Sequence, residues 1–229
     1  MDILADMRIP GEALEALTSF GNVVPFSTSC ITYESVACHP DIFIFNAGKN
    51  SIVAPNLPET ILSRIVSSGV PVSHGETPVG SKYPESAVYN AVITEYFLIH
   101  NFRITDPVIN SAAGDREMIH VSQGYTRCTT LPLKENHFIT SDEGIFRTLK
   151  RYGLYVIYIK PANIILPGAK HGFFGGACSI FEDRVIINGN LNHLGEGDEV
   201  RKLLTDLKYD VIELYDGPLF DSGTLVFLP

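Results

Sequence analysis

The sequence predicts an α/β fold in which five small modules form a ring, each with a strand, a second strand, a helix and a third strand. This order of apolar runs, turn residues and helical periodicity recurs along the chain, most clearly over residues 126–159 and 177–214. The two ends together supply one further module. We therefore expect a five-bladed, pseudo-symmetric α/β propeller closed by both termini, in a single domain over residues 1–229. Unrelated strands in an open sheet are the alternative.

The two clearest modules define the pattern. In the first, the strands TRCTTL and HFIT precede a helix and the strand YVIYI, and Ser141 or Asp142 can cap the helix with a side-chain oxygen. In the second, the strands GACSIF and RVIINGN precede a helix over 197–207 and the strand YDVIEL.

Two earlier modules are less regular. Residues 41–73 give the strand DIFIF, the turn NAGKN, the strand SIVAP, a helix between Pro58 and Gly69, and the strand VPVS. Residues 87–122 give AVYNAVI, YFLIHN, a weak helix over 106–113 and MIHVS. The termini then make the fifth module from MDILAD, a helix over 10–20, NVVPF and the C-terminal GTLVFLP. A closed ring leaves no exposed sheet edge.

Composition narrows the class of protein. Apolar residues make up 45% and charged residues 19%, and the net charge is −9, which disfavours nucleic acids and anionic membranes as partners. We see neither a signal peptide nor an apolar run of membrane-spanning length. Four cysteines without CxxC spacing then indicate reduced thiols and a cytoplasmic location. No spacing predicts a metal site, and no cofactor is expected.

Four motifs and the five-module pattern together resemble a known fold. The motifs are VSQGYTRC (121–128), ITSDEGI (139–145), LPGAKHGFFGGACS (166–179) and FDSGTLVFL (220–228). The chain resembles the pentein fold of guanidine-modifying enzymes, and most closely an uncharacterised bacterial family of that fold. It is distantly similar to dimethylarginine dimethylaminohydrolase. The resemblance covers essentially the whole chain, and its implications concern the fold more than the activity.

The resemblance implies a thiol chemistry that the last module cannot perform in the usual way. In enzymes of this fold a cysteine near the C-terminus attacks a guanidinium carbon, a histidine transfers protons and carboxylates hold the cation. Here Ser222 stands roughly where that cysteine would be, and a serine hydroxyl needs an adjacent base to become a nucleophile. His171, which precedes Cys178, echoes the family's histidine and is the candidate acid or base.

Alternatives remain open at these positions. His171 is otherwise a loop residue beside glycines. Cys128 and Cys178 are predicted at matching positions, each early in the first strand of its module. They are either displaced nucleophiles, a metal pair or small buried residues, with burial favoured. Polar residues near the first strands are either a ligand site or a network that satisfies itself. The ligand-binding candidates among them are Glu85, Asn90, Tyr125, Arg127 and Asp221, with Lys82 nearby.

Three hypotheses follow for function. The first is a small-molecule site for a guanidino or amino-acid-like ligand, without the C-terminal catalytic cysteine. The second is an active hydrolase or transferase that acts on C–N bonds of guanidino compounds and uses His171 with Ser222 or Cys178. The third is a protein-binding module. The residues leave open whether the chain is an enzyme, which ligand it binds and which oligomer it forms.

Overall fold

Five three-stranded sheets, all with the same internal order, make up the β structure. The computed structural model describes residues 1–28, 30–48 and 50–229. In every sheet the middle strand pairs antiparallel with one neighbour and parallel with the other. A helix connects the two parallel strands each time, because a parallel pair needs a crossover connection. The mixed α/β class and the repeated module are therefore confirmed.

Among the described residues, fifteen strands and six α-helices follow the predicted sequence of modules. Five of the helices are the crossovers, and the one-turn helix α4 is an addition before β9. In chain order they are β1 (Asp2–Asp6), α1 (Gly11–Thr18), β2 (Asn22–Phe26), β3 (Ile44–Asn46), β4 (Ser51–Val53), α2 (Glu59–Ser67), β5 (Val72–His74), β6 (Val92–Ile93), β7 (Phe97–His100), α3 (Pro107–Ser111), β8 (Glu117–His120), α4 (Thr126–Thr129), β9 (Thr130–Pro132), β10 (His137–Thr140), α5 (Glu143–Arg151), β11 (Tyr155–Tyr158), β12 (Cys178–Phe181), β13 (Arg184–Ile187), α6 (Gly197–Asp206), β14 (Asp210–Glu213) and β15 (Val226–Leu228).

Helix α5 shows how local sequence builds a module. Asp142, one of the two predicted caps, accepts a hydrogen bond from the backbone N–H of Ile145 at 2.8 Å. Ile145 and Leu149, four residues apart, lie on one face of the helix and are fully buried. They pack against the strand residues Phe138 and Val156. Capping at the start and an apolar stripe against the sheet are sufficient reasons for a helix here.

The two ends of the chain share one sheet, as the sequence predicts. Strand β1 is its middle strand, with β15 antiparallel on one side and β2 parallel on the other. Asp2 is opposite Leu228 and Leu4 is opposite Val226. Ile3 and Leu4 are fully buried between the cores of the neighbouring modules. The N-terminal strand therefore depends on the last residues of the chain for its second partner.

The first strands of three modules begin later than predicted. In DIFIF, a 3-10 helix occupies Pro40–Ile42 and β3 starts only at Ile44; AVYNAVI contributes only β6; and TRCTTL opens with α4. The displaced backbone instead bonds between modules: the N–H of Asp41 donates to the Gly223 carbonyl at 3.2 Å, and that of Arg127 donates to the Asn90 carbonyl at 2.9 Å. The predicted match between Cys128 and Cys178 is consequently wrong, because Cys128 lies on a helix and Cys178 begins a strand.

The predicted turn at residues 46–50 includes Lys49, which lies outside the described residues. Across the residues that the structure describes, no helix combines the length and the apolar character needed to cross a membrane.

Candidate functional site

A cavity of about 320 Å³ opens where the loops before several modules meet. Its walls are largely aromatic, and its polar groups include an imidazole, a thiol and a carboxyl that are almost completely buried. We call it the Asp221 cavity. It is lined by Tyr33, Ser35, Val36, His39, Tyr83, Gln123, Tyr125, Cys128, Leu166, Ala169, His171, Phe173 and Asp221.

Asp221 is a fully buried carboxyl group held by the backbone. Its Oδ2 accepts the N–H of Phe173 at 2.8 Å, and its Oδ1 accepts the N–H of Gly223 at 3.1 Å. Burial raises the pKa of Asp221 to about 8, although these two donors oppose the change. Gly176 leaves space for this carboxyl group, because a Cβ at residue 176 would stand 2.0 Å from Oδ1 of Asp221.

His39 is a buried imidazole without a hydrogen-bond partner. It is 0% exposed, and within the described part of the chain neither ring nitrogen is hydrogen bonded. Its Nε2 stands 3.7 Å from Oδ2 of Asp6 and 3.9 Å from Oδ1 of Asp221. The ring also lies close to the Asp221 backbone, but the geometry there is not that of a hydrogen bond. Burial lowers the pKa of His39 to about 3, so the ring is neutral near pH 7.

The glycine in FDSG places Asp221 and His39 next to each other. Gly223 has a φ of +64°, in the left-handed region that glycine adopts without strain. A Cβ at this position would also meet Cβ and Cγ of His39 at 2.2 Å. Any other residue would therefore displace the imidazole from the carboxyl groups.

Cys128 is the thiol of the cavity and is bonded to a second buried carboxyl group. Its Sγ lies 3.2 Å from Oδ2 and 3.5 Å from Oδ1 of Asp41. Asn90 holds both ends of the cysteine: Oδ1 accepts the Cys128 N–H at 2.9 Å and Nδ2 donates to Sγ at 3.2 Å. Burial raises the pKa of Asp41 to about 6 and raises the pKa of the Cys128 thiol well above its ordinary value.

A third carboxyl group near His39 is already paired. Oδ2 of Asp6 lies 2.6 Å from Nη2 of Arg8, which also donates to the Ser35 carbonyl, and Nη1 of Arg8 donates to the Glu34 carbonyl. The guanidinium group of Arg8 therefore balances the negative charge of the Asp6 carboxylate. Asp221 differs, because in the described part of the chain His39 is the one basic side chain within 4 Å of it.

The outer wall is a linked set of tyrosines. The hydroxyl of Tyr125 is hydrogen bonded to the hydroxyls of Tyr33 and Ser86, the latter at 2.5 Å. The Tyr83 ring packs against that of Tyr125 with centroids 5.7 Å apart, and the ring of Phe173 meets that of His171 at the same separation. These contacts fix the rings while leaving their faces and edges around the cavity.

Asp41 also borders a second cavity, of about 480 Å³, which Arg127 lines with it. The Arg127 guanidinium donates to the carbonyls of Gly175 at 2.8 Å and Cys178 at 3.0 Å. Burial lowers the pKa of Arg127, and the nearby Asp41 opposes this. Because Cys128 lines the first cavity and its partner Asp41 lines the second, this pair lies between the two.

The predicted site residues are distributed unequally. Asp221, Tyr125 and His171 line the Asp221 cavity, and Asn90 supports Cys128 from behind. Arg127 faces the second cavity, while Glu85 lies exposed on a 3-10 helix.

The two predicted nucleophiles, Ser222 and Cys178, are lining residues of neither cavity. The Ser222 hydroxyl donates to the Gly176 carbonyl at 3.5 Å. Cys178 is buried in the core that packs β12, where burial raises the pKa of its thiol. Each therefore has a packing or hydrogen-bonding role in the interior.

His39 and Asp41 are not among the site residues that the sequence predicts. Asp41 opens the predicted strand DIFIF, a run that indicates burial in a sheet rather than a polar site, and His39 lies just before it. The available signal was Pro40 between two polar residues, because proline is unsuited to the interior of a sheet and favours the first turn of a helix. One ligand atom each from His39, Asp41 and Cys128 lie within 4.8 Å of one another.

Comparison with solved structures shows the fold. A mutant dimethylarginine dimethylaminohydrolase from Pseudomonas aeruginosa, complexed with citrulline, matches with a TM-score of 0.52 and 12% identity over 93% of this chain and 91% of that chain. Agmatine deiminase from C. jejuni matches with a TM-score of 0.54 and 10% identity, over 92% and 86%. Inosamine-phosphate amidinotransferase from Streptomyces griseus matches with 0.53 and 12%, over 97% and 81%. The predicted resemblance to the pentein fold is thereby confirmed.

The sequence itself matches a family and no characterised relative. A search of curated proteins finds no match. The family model that matches spans residues 4–226, from within β1 to the start of β15, and so includes every module and every residue of the Asp221 cavity. The chain belongs to the family described as "Family of unknown function (DUF6873)".

Proposed function

We propose that this chain binds a small cationic or zwitterionic ligand, of the guanidino or amino-acid class, in the Asp221 cavity at the centre of a closed ring of five modules. The observation that carries the proposal is the Asp221 carboxyl group. It is fully buried, it lines a cavity, and His39 is its one basic neighbour within 4 Å among the described residues. Because the pKa of this carboxyl group is raised to about 8, it is largely protonated near pH 7 without a ligand, and a cationic ligand would favour its ionised form and pair with it.

The walls suit the same class of ligand. Guanidinium and ammonium groups bind the faces of aromatic rings, with a contribution of about 0.5–2 kcal/mol that grows as water is excluded. Tyr33, Tyr83, Tyr125 and Phe173 supply rings around the cavity. Its volume of about 320 Å³ is at the small end of the range for ligand pockets, which favours a compact molecule over a nucleotide or a peptide.

The structural neighbours support the ligand class by analogy alone. One is a dimethylarginine dimethylaminohydrolase with citrulline, and another is an adduct of such an enzyme with S-methyl-L-thiocitrulline. A shared fold does not transfer a function, so the proposal depends on Asp221 and its surroundings.

The test is calorimetric titration of the protein with L-arginine, agmatine and L-citrulline, with L-norleucine as a neutral side-chain control. We expect arginine or agmatine to bind more tightly than norleucine, whose side chain carries no charge. Asp221→Asn should weaken the binding at least tenfold, because a charge-assisted hydrogen bond contributes about 1.5–3 kcal/mol. Ser222→Ala, which alters the adjacent buried residue, should bind as the wild type does. Equal affinity for arginine and norleucine, or no binding of any cation, contradicts the proposal.

A second candidate is catalysis on the same ligands, and the observation that favours it is the thiol of Cys128 on the cavity wall. We infer that Cys128, rather than Ser222 or Cys178, would attack the guanidinium carbon. His171, which lines the same cavity, would protonate the departing amine, and water would then hydrolyse the thiouronium intermediate and release the thiol. A bound cation would lower the raised pKa of the thiol.

The titration samples decide between binding and turnover. Chromatography of the incubated ligands should detect the released amine if the chain is catalytic, and Cys128→Ser should abolish this product while Cys178→Ser retains it. Unchanged ligand after prolonged incubation with the wild-type protein leaves binding as the function and rules out this reaction for the ligands tested.

A further inference from the structure

Three side chains of the types that bind transition metals meet beside the Asp221 cavity. His39 and Asp41 flank Pro40 at the start of a 3-10 helix, and Cys128 comes from α4. All three are buried, and one ligand atom of each lies within 4.8 Å of the other two. His39 is the residue just before this 3-10 helix and Asp41 lies within it, whereas Cys128 is 87 residues from Asp41 in sequence.

The unsatisfied imidazole is an independent indication of a ligand. Buried polar side chains almost always have a partner, and one left without a partner costs about 1–3 kcal/mol. His39 has two such nitrogens within the described part of the chain, and both nearby carboxylates are too distant for a hydrogen bond. A neutral imidazole nitrogen is a common metal ligand, so a bound ion would give one of these atoms its missing partner.

The distance between thiol and carboxylate is compatible with a shared metal. In a tetrahedral zinc site with Zn–S of about 2.3 Å and Zn–O of about 2.0–2.2 Å, the sulfur and oxygen stand about 3.5 Å apart. Sγ of Cys128 lies 3.2 Å and 3.5 Å from the two carboxylate oxygens of Asp41. An ion can therefore replace the thiol proton with little movement of either side chain.

The surrounding hydrogen bonds hold the donors in place. Thr224 donates its hydroxyl to Oδ2 of Asp41 at 3.0 Å, and Asn90 donates its amide to both the Asp41 carbonyl and the Cys128 sulfur at 3.2 Å. Partners of this kind orient ligands and typically contribute 10–100-fold to metal affinity. The two ends of the Asn90 side chain also fix the cysteine backbone relative to Asp41.

We propose that His39, Asp41 and Cys128 form a binding site for one divalent ion of the zinc class. Nitrogen, oxygen and thiolate donors suit zinc or cobalt and disfavour magnesium or calcium, which prefer oxygen alone. The thiolate and carboxylate together carry two negative charges, which a divalent ion balances in this buried position. The site adjoins the proposed guanidino site, because His39 and Cys128 also line the Asp221 cavity, but it uses a different carboxyl group: Asp41 holds the ion and Asp221 holds the organic cation.

The experiment measures metal content and affinity in the full chain. Protein stripped with a chelator is dialysed against excess ZnCl₂ and then against buffer, and zinc is counted by plasma mass spectrometry. We expect about one zinc per wild-type chain and less than a tenth of that in Cys128→Ser and His39→Ala. Cys178→Ser is the matched control, because Cys178 is equally buried yet outside the cluster, and it should retain the ion.

Cobalt supplies a readout that needs no variant to fold. Reconstitution of the wild-type protein with Co²⁺ should produce a thiolate-to-cobalt charge-transfer band and the intense visible absorption of tetrahedral cobalt. Wild-type protein that retains no zinc and gives no such band overturns the proposal, as does a Cys128→Ser protein that retains zinc like the wild type. Titrating arginine into both stripped and loaded protein separates the two proposals, because either site can be lost without the other.

If the ion binds, Cys128 is its ligand and no longer a free nucleophile. If the stripped protein turns over a guanidino compound and the zinc-loaded protein does not, the Cys128 thiol is the nucleophile without zinc and a metal ligand with it. Activity in the zinc-loaded protein at the rate of the stripped one would contradict the assignment of Cys128 as a metal ligand.

Discussion

At the residue scale, His100 is a buried imidazole in a different situation from His39. It is the last residue of β7, and both ring nitrogens have partners: Nδ1 lies 2.7 Å from the Thr105 hydroxyl and Nε2 lies 2.8 Å from the Gly124 carbonyl. A carbonyl accepts, so Nε2 carries the proton in the neutral ring, and Nδ1 faces the Thr105 hydroxyl, which also donates to the Asn101 carbonyl at 3.0 Å. Burial lowers the pKa of His100 to about 4, and nearby His120 lowers it further while the carbonyl opposes the change.

We expect this residue to make the fold sensitive to acid. The folded pKa lies below the unfolded value of about 6.5, so below pH 6.5 the unfolded state binds more protons. The stability that His100 contributes is therefore complete above pH 6.5 and is lost as the pH falls toward 4, with a total of about 3 kcal/mol. Urea unfolding of the wild type and His100→Gln between pH 7 and 4 measures it. The difference between the two proteins should shrink with falling pH, and a difference that does not change contradicts the prediction.

The same scale shows what the sequence could and could not predict about the site. Asp221, His171 and Tyr125 were predicted because they lie in motifs next to glycines. A glycine is visible in the sequence wherever two segments of the chain must approach closely. His39 and Asp41 lie in no such motif. Their role comes from contact with Cys128, which is 87 residues from Asp41 in sequence. That contact depends on how the modules pack against each other, and no local periodicity in the sequence encodes it. The resemblance and the repeat also pointed to Ser222 and Cys178, whose side chains line neither cavity: the Ser222 hydroxyl donates to the Gly176 carbonyl, and Cys178 packs in a hydrophobic core.

At the scale of elements, helices were predicted better than the strands that precede them. Helix α5 has a cap, an apolar stripe and basic residues in its last turn, all of which are local signals. The first strands lack comparable signals, because an apolar run of five residues fits a strand and a buried turn equally well. In DIFIF and AVYNAVI the choice is made by backbone hydrogen bonds to other modules, which no local pattern encodes.

The cap of α5 gives a prediction for this element. Asp142→Ala removes the acceptor of the Ile145 N–H and of the Gln123 amide, the latter at 3.1 Å, and should lower the free energy of unfolding by about 1 kcal/mol. Asp142→Asn keeps a capping oxygen and should cost only a few tenths of that. Chemical denaturation of the three proteins provides the comparison. Equal losses in the two variants would show that the charge of Asp142, rather than its cap, stabilises the module.

At the scale of the whole molecule, the sheet shared by the termini is the feature that would close the ring. Every other sheet is made from consecutive strands, whereas this one joins residues 2–26 with 226–228. Each of the residues of β15 faces a partner on β1, and Leu228 and Val226 are buried. If the five modules are equivalent members of a ring, the position at which the chain is interrupted is arbitrary, and the fold should survive when the break is moved to another exposed turn.

Circular permutation tests this directly. A linker of about four Gly and Ser residues can join Pro229 to Met1, because their neighbours Leu228 and Asp2 are paired in one sheet. The new chain ends are opened between Glu182 and Asp183, in the exposed turn from β12 to β13. The turn's ion pairs, to Lys134 and Arg184, are on the surface and contribute little. We expect a permutant with the wild-type circular dichroism spectrum and cooperative unfolding. The control carries the same linker but is opened between Ile139 and Thr140, in the buried middle strand β10, and should not fold because that cut breaks both ladders of its sheet. A Glu182–Asp183 permutant as unfolded as the control would mean that β1 and β15 need a fixed chain end, and the equivalence of the modules would be refuted.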